Sequence, residues 1–232
     1  GGTGVGMNAL LSRSLGEKKQ DLADQAANTG IFVFLVSAVV FGVCGILLAR
    51  PFFLAQTDIQ PIVDYGTDYA RICLGLSIGI FSQFCFERLL QSTGRTVYSM
   101  ITQLIGAVIN IILDPILIFG LFGFPRLEVA GAAVATVFGQ IVAALIGLWM
   151  NLRFNKDIHV RLRSIRPDRA VVREIYRVGV PSIVMQSIGS IMTFGMNKIL
   201  ISFTDTATAV FGAYFKLQSF IFMPVFGLNN GM

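Results

Sequence analysis

Between Arg95 and Asp114 the chain reads Thr96-Val-Tyr-Ser-Met-Ile-Thr-Gln-Leu-Ile-Gly-Ala-Val-Ile-Asn-Ile-Ile-Leu113, eighteen residues without a charge. After Asp114, nine more apolar or small residues carry the run to Gly123. A helix of roughly 20 such residues crosses the hydrocarbon of a bilayer. The same length recurs along the chain. Residues 25–49, 129–152 and 178–197 give uncharged runs of 25, 24 and 20, and from Thr206 onward the only charge is Lys216. A shorter run, 72–86, lies between Arg71 and Glu87 and is expected to extend on both sides. These runs predict five crossings and the beginning of a sixth, hence an all-α, polytopic membrane helix bundle.

Composition supports lipid as the main solvent. Of 232 residues, 54% are hydrophobic and 13% charged, about half the charged share of a soluble domain. That excludes a disordered chain, a soluble nucleic-acid-binding domain and a disulfide scaffold. Cys44, Cys73 and Cys85 sit singly in apolar runs, a spacing that gives neither a disulfide framework nor a zinc site. His159 stands in the most charged stretch without other ligand-type side chains close in sequence, and is expected to be a solvated loop residue.

The net charge of +5 is distributed with a purpose. Alternating the loops puts 13–24, 87–95 and 153–177 on one side. They carry Arg13, Lys18, Lys19, Arg88, Arg95, Arg153, Lys156, Arg161, Arg163, Arg166, Arg169, Arg173 and Arg177. The other side has Arg50, Arg71 and Arg126, with Lys198 near its boundary. This bias predicts cytoplasmic basic loops in a multi-pass protein of the cell membrane. The 153–177 stretch lacks the aromatic platform of a single-strand binder. It is expected to be a solvated linker that meets anionic lipid headgroups, with no nucleic acid as partner.

One charge sits where it is costly. In Asn110-Ile-Ile-Leu-Asp114-Pro115 a carboxylate interrupts an apolar run, and an intramembrane carboxylate is a functional candidate by default. Asn110 and Asp114 are four apart and share a helix face. Pro115 cannot donate to the Ile111 carbonyl, which leaves a third oxygen free. Asp114 lies about 11 Å from the outer end of its helix, and Thr136 about 10 Å into the returning one. Antiparallel neighbours joined by a short loop would bring them to one level, with Ala132 a turn above Thr136 on the same face. A carboxylate, an amide, a hydroxyl and spare carbonyls suit Na⁺ or a proton. The competing reading is a structural Asp satisfied by its neighbours. Gln186, Gln218 and Lys216 are candidates to line a substrate cavity, although inter-helix hydrogen bonding would account for the glutamines equally. No Ser-His-Asp, HExxH or paired-carboxylate pattern supports an enzyme, and no cofactor is implied beyond the coupling ion.

With those residues in place, the chain resembles the multidrug and toxic compound extrusion (MATE) family of secondary transporters, in its bacterial form. The pieces that carry the resemblance are Ser12-Arg-Ser-Leu-Gly-Glu-Lys18, Leu90-Gln-Ser-Thr-Gly94, Asn110-Ile-Ile-Leu-Asp114-Pro115 and Val129-Ala-Gly-Ala-Ala-Val-Ala-Thr136. Beyond the basic stretch come Gly179-Val-Pro181-Ser182 and Phe222-Met-Pro224-Val-Phe-Gly227-Leu.

The resemblance implies a two-lobe fold of twelve helices, of which this chain would run from the end of the second helix into the eighth. Residues 1–152 would then be part of the N-lobe, 153–177 the cytoplasmic linker and 178–232 the start of the C-lobe. It also implies a monomeric antiporter that exports cationic amphipathic, drug-like compounds in exchange for Na⁺ or H⁺. Asn110, Asp114, Thr136 and Ala132 match the family's N-lobe cation site. The first helix of the family usually adds another Asp, which lies outside this sequence. Some branches place a Glu in the helix beginning at Pro181, where Gly189 stands here, with Gln186 a turn earlier. The alternatives are a lipid-linked oligosaccharide or lipid II flippase, which would want more intramembrane cations, and a non-transporting membrane scaffold subunit.

Overall fold

The computed structural model describes residues 1–161 and 165–231, so Arg163 of the basic stretch lies outside the described residues. Among the described residues eight α-helices follow one another: α1 Gly2–Gly16, α2 Gln20–Leu54, α3 Gln60–Gly75, α4 Ile78–Ser92, α5 Thr96–Phe119, α6 Glu128–Arg153, α7 Arg169–Ile201 and α8 Asp205–Gly231. No strand occurs among the described residues. By length and composition, α2, α5, α6 and α7 are each able to cross a membrane, and α3 with α4 forms a fifth span bent by 50°.

The bend between α3 and α4 has an identifiable cause. At Leu76 and Ser77 the helix gives way, and the Ser77 hydroxyl donates to the Ala38 carbonyl of α2 at 2.8 Å. The Leu74 side chain fills the space left at Gly45 of α2. A side chain that bonds a neighbour's backbone where a helix is interrupted favours a kink at that point.

Other ends follow their residues. Gly94 takes φ 74° after α4. There the Arg95 N–H reaches the Leu90 carbonyl at 2.8 Å and the Gly94 N–H reaches Gln91 at 3.0 Å. This pair of bonds is a Schellman closure, which explains why Leu90-Gln-Ser-Thr-Gly94 ends a helix. α5 stops at Gly120, also left-handed at φ 71°.

Two compact units partition the contacts, Gly1–Ser182 and the residues from Ile183 onward. The first has its core at the end nearer the basic loops, where Met7, Leu11, Ala27, Phe34, Cys85 and Leu89 meet Ile158, Val171 and Ile175. Gly6 of α1 packs on the Ile175 carbonyl and Gly30 of α2 on Met7, so the glycine-rich opening serves close helix approach. Toward the other end the helices splay their apolar side chains outward. Leu47 and Ile111, 68% and 69% exposed, are surfaces for lipid rather than for water.

Two sequence expectations change here. The 87–95 stretch is not a loop from its first residue, because α4 continues to Ser92 and Glu87 is buried. An adjacent Glu-Arg pair interrupts an apolar count without interrupting a helix. The described part of the linker is also less solvated than its charge suggests. Gln20 of α2 donates to the Asp157 carbonyl at 2.7 Å, Asp24 accepts from the His159 backbone at 2.9 Å, and Asn28 accepts from the Arg161 backbone at 3.1 Å. These four-residue steps put one polar stripe of α2 under the linker. His159 keeps an exposed ring, but that ring meets Asp24 at 3.3 Å. Nearby, hydrogen bonds from Lys19 at 2.6 Å and Arg13 at 2.9 Å hold the Glu17 carboxyl below the usual carboxylate range.

Candidate cation site between α3, α5 and α6

Asn110 and Asp114 stack along α5, one turn apart, just before Pro115 removes the donor that the Ile111 carbonyl would otherwise meet. At 1.5 Å per residue, Asp114 lies about 8 Å from the end of α5, and Thr136 about 12 Å into α6. Both are therefore in the half of the span away from the basic loops. The helices approach closely because their contact is built of small residues. A Cβ on Gly139 would come within 2.8 Å of the Gly106 carbonyl, and one on Gly106 within 3.1 Å of Ala143.

That approach closes the cluster. In the amide orientation that suits both neighbours, Asn110 donates to Asp114 Oδ2 at 3.3 Å and its carbonyl accepts from Thr136 at 3.2 Å. The Thr136 hydroxyl itself donates to the Ala132 carbonyl at 2.9 Å. Asp114, Asn110, Thr136 and Ala132 are thus brought together, each of them half-buried. Asp114 forms no ion pair among the described residues, whose salt bridges all lie elsewhere. The cluster offers one negative charge, which takes an N–H from Asn110, and several further lone pairs on the carboxylate and on the neighbouring hydroxyl and carbonyl oxygens.

One further residue joins the site without having been singled out in the sequence. Tyr69 of α3 lies beside Thr136 and Cys73, and Asp114 is within its electrostatic reach. Only one sequence signal pointed to it. Asp64, Tyr65, Asp68 and Tyr69 form an amphipathic turn ahead of an apolar run, whose polar side must face something.

The substrate-cavity candidates fall in the second compact unit. Gln186 on α7 and Lys216 on α8 are exposed, and Gln218 is half-buried. Lys216 lines an open groove with Phe215, Ser219, Phe220 and Met223, and Gln218 does not line it. Two positions apart on one helix, Lys216 and Gln218 point to different sides.

A bundle of long apolar helices, with a carboxylate, an amide and a hydroxyl brought together on facing helices, defines a polytopic membrane protein. The MatE family model matches residues 1–116, half of the sequence, and the chain belongs to that family. It is 28% identical over 229 residues to the multidrug export protein MepA of Staphylococcus haemolyticus, covering 99% of this chain and 50% of that protein. It is likewise 28% identical over 233 residues to the probable multidrug resistance protein YoeA of Bacillus subtilis, covering 98% and 50%. Among solved structures, the MATE multidrug transporter DinF-BH in complex with R6G superposes with a TM-score of 0.91 at 30% identity, covering all of this chain and 51% of that one. The chain therefore spans about half the length of the relatives it matches. The resemblance read from the motifs and the membrane-bundle fold are both shown by these matches.

Proposed function

We propose that this chain forms part of a cation-coupled multidrug efflux antiporter, one that exports cationic amphipathic compounds in exchange for Na⁺ or H⁺ at Asp114. The observation that carries the reading is the hydrogen-bonded cluster of Asp114, Asn110 and Thr136 in a family whose relatives bear multidrug-export names. In this reading 1–152 belongs to one lobe, 153–177 is the linker and 178–232 opens the second lobe. The basic loops face the cytoplasm, and the complete transporter works as a monomer. Coupling requires that the ion and the drug stabilise different arrangements of the lobes, because a ligand shifts an equilibrium only by its differential affinity.

The test is radiolabelled Na⁺ binding to the complete two-lobe transporter carrying this sequence, across a pH series, with and without Asp114→Asn. Saturable binding that the variant lacks identifies Na⁺ coupling at this carboxylate. Proton release on drug binding that the variant lacks identifies H⁺ instead. Normal drug efflux by a correctly inserted Asp114→Asn protein overturns the reading.

A further inference from the structure

A second carboxylate lies inside the first compact unit, and nothing in the cation site uses it. Glu87 on α4 is 3% exposed. It stands five residues before the end of α4, about 8 Å from the basic-loop end of the span. Its two oxygens are each taken by one amide. Gln83, a turn earlier on α4, donates to Oε1 at 2.9 Å, and Gln103 of α5 donates to Oε2 at 3.0 Å.

No cation pairs with it among the described residues. Arg88 is the one charge acting on it, and its guanidinium is bonded instead to Gln91 at 2.9 Å. Among the described residues, the other helices packed on α4 bring no titratable group to it. α6 supplies Asn151, which donates to the Phe86 carbonyl at 3.0 Å, α2 supplies Phe34 against Phe81, and α1 supplies Gly4 against Arg88.

The cage is chemically specific. A structural carboxylate buried at membrane depth is ordinarily paired with a fixed positive charge, and such a pair suits only the ionised state. Two primary amides suit both states. With both N–H groups turned inward they serve a carboxylate; with one amide reversed, its carbonyl accepts the O–H of the acid while the other still donates. A metal ion would need both amides reversed and the carboxylate stripped of both N–H donors, whereas a proton needs only one amide reversed, so the proton is the group the cage fits with least change. Gln103 is itself exposed, so the cage has its outer wall at the surface of the described bundle.

We propose that Glu87 is a second proton-binding site of this lobe, in the half next to the basic loops, loaded and emptied separately from Asp114. The proton comes from and returns to water, and the carboxylate becomes the acid with no other bond changed. Separate loading follows from the packing between the sites. Ser99, Gln103, Asn110 and Asp114 share one face of α5, but between Gln103 and Asn110 that face is closed by Gly106 against Gly139 and Ala143. The inference rests on the transporter reading for what the proton is used for, and not for its binding.

The test is pH-difference infrared spectroscopy of the complete transporter in lipid nanodiscs, following the carboxylic-acid C=O stretch. In an Asp114→Asn background a pH-dependent acid band should remain, and adding Glu87→Gln should remove it. Gln103→Leu, which leaves the carboxylate in place, should move the midpoint of that band by about one pH unit, since one N–H to the charged form is lost. A band unchanged by Glu87→Gln, or a Glu87 signal fixed in one state at every pH, overturns the proposal. If Glu87→Gln does not fold, the Gln103→Leu shift decides alone, and an unmoved midpoint overturns it. Drug efflux retained by Asp114→Asn would remove the antiporter reading and leave this spectroscopic answer standing.

Discussion

Asp114 and Glu87 carry the same charge on opposite halves of one bundle, and their surroundings differ in kind. Asp114 is half-buried and takes one N–H, from Asn110, whose carbonyl in turn faces Thr136. Glu87 is fully buried among N–H donors from Gln83 and Gln103. A single N–H leaves most of a carboxylate's lone pairs open to an incoming ion, whereas an N–H on each oxygen satisfies the carboxylate as it stands. The first arrangement leaves room for a cation and the second is already complete. The number of N–H donors on the acid, more than its depth, distinguishes the proposed ion site from the proposed proton site.

The contrast can be broken most severely at Asp114. Asp114→Asn should lower cation affinity at least about 100-fold, equivalent to about 2.7 kcal/mol, in a binding titration on the complete transporter. Cation affinity unchanged in that variant would move the site elsewhere. Next in size is Glu87→Ala, which strands two amides and leaves a hole. It should cost about 2–3 kcal/mol of stability, read as a lowered thermal midpoint in detergent, with cation affinity intact. A loss of cation affinity would show that the two acids are not separate. Gly139→Val forces a methyl-bearing side chain on the Gly106 carbonyl, 2.8 Å from where its Cβ would stand. About 1–3 kcal/mol of destabilisation is expected from such overpacking, and unchanged stability would mean that α5 and α6 are not held this closely. Thr136→Val keeps shape and removes one oxygen, so cation affinity should fall about tenfold at unchanged stability, about 1.4 kcal/mol. Tyr69→Phe should have the smallest effect, about two- to threefold, because it removes a partner of Thr136 rather than an oxygen next to Asp114.

The two regions were also unequally legible in the sequence. Asp114 stood alone in an apolar run, its partner Asn110 lay one turn away, and a short connection fixed the depth at which Thr136 would return. Local spacing and antiparallel geometry suffice for that. Glu87 was hidden because Arg88 follows it, and two charges in succession look like the edge of a span. Its burial comes from α5 and α6, whose packing against α4 no local pattern encodes. Tyr69 was missed for the same reason, since its contact with Thr136 joins residues 67 positions apart in the chain. The linker was misjudged in the opposite direction. Its charge predicted solvation, but the polar stripe Gln20, Asp24 and Asn28 on α2 binds its backbone, and a backbone partner leaves no mark in composition.

The Gly106–Gly139 contact has an electrical consequence. Asp114 and Gln103 are eleven residues apart on α5, about 16 Å along its axis, and the hydrocarbon is about 30 Å thick. The tightly packed contact lies between them, so part of a transmembrane voltage falls across it. About half of the field then lies between the two acids, so a unit charge held at one differs from the same charge held at the other by about 1.2 kcal/mol per 100 mV. Energising the membrane thus acts on the two sites unequally, and one packed pair of glycines sets the division.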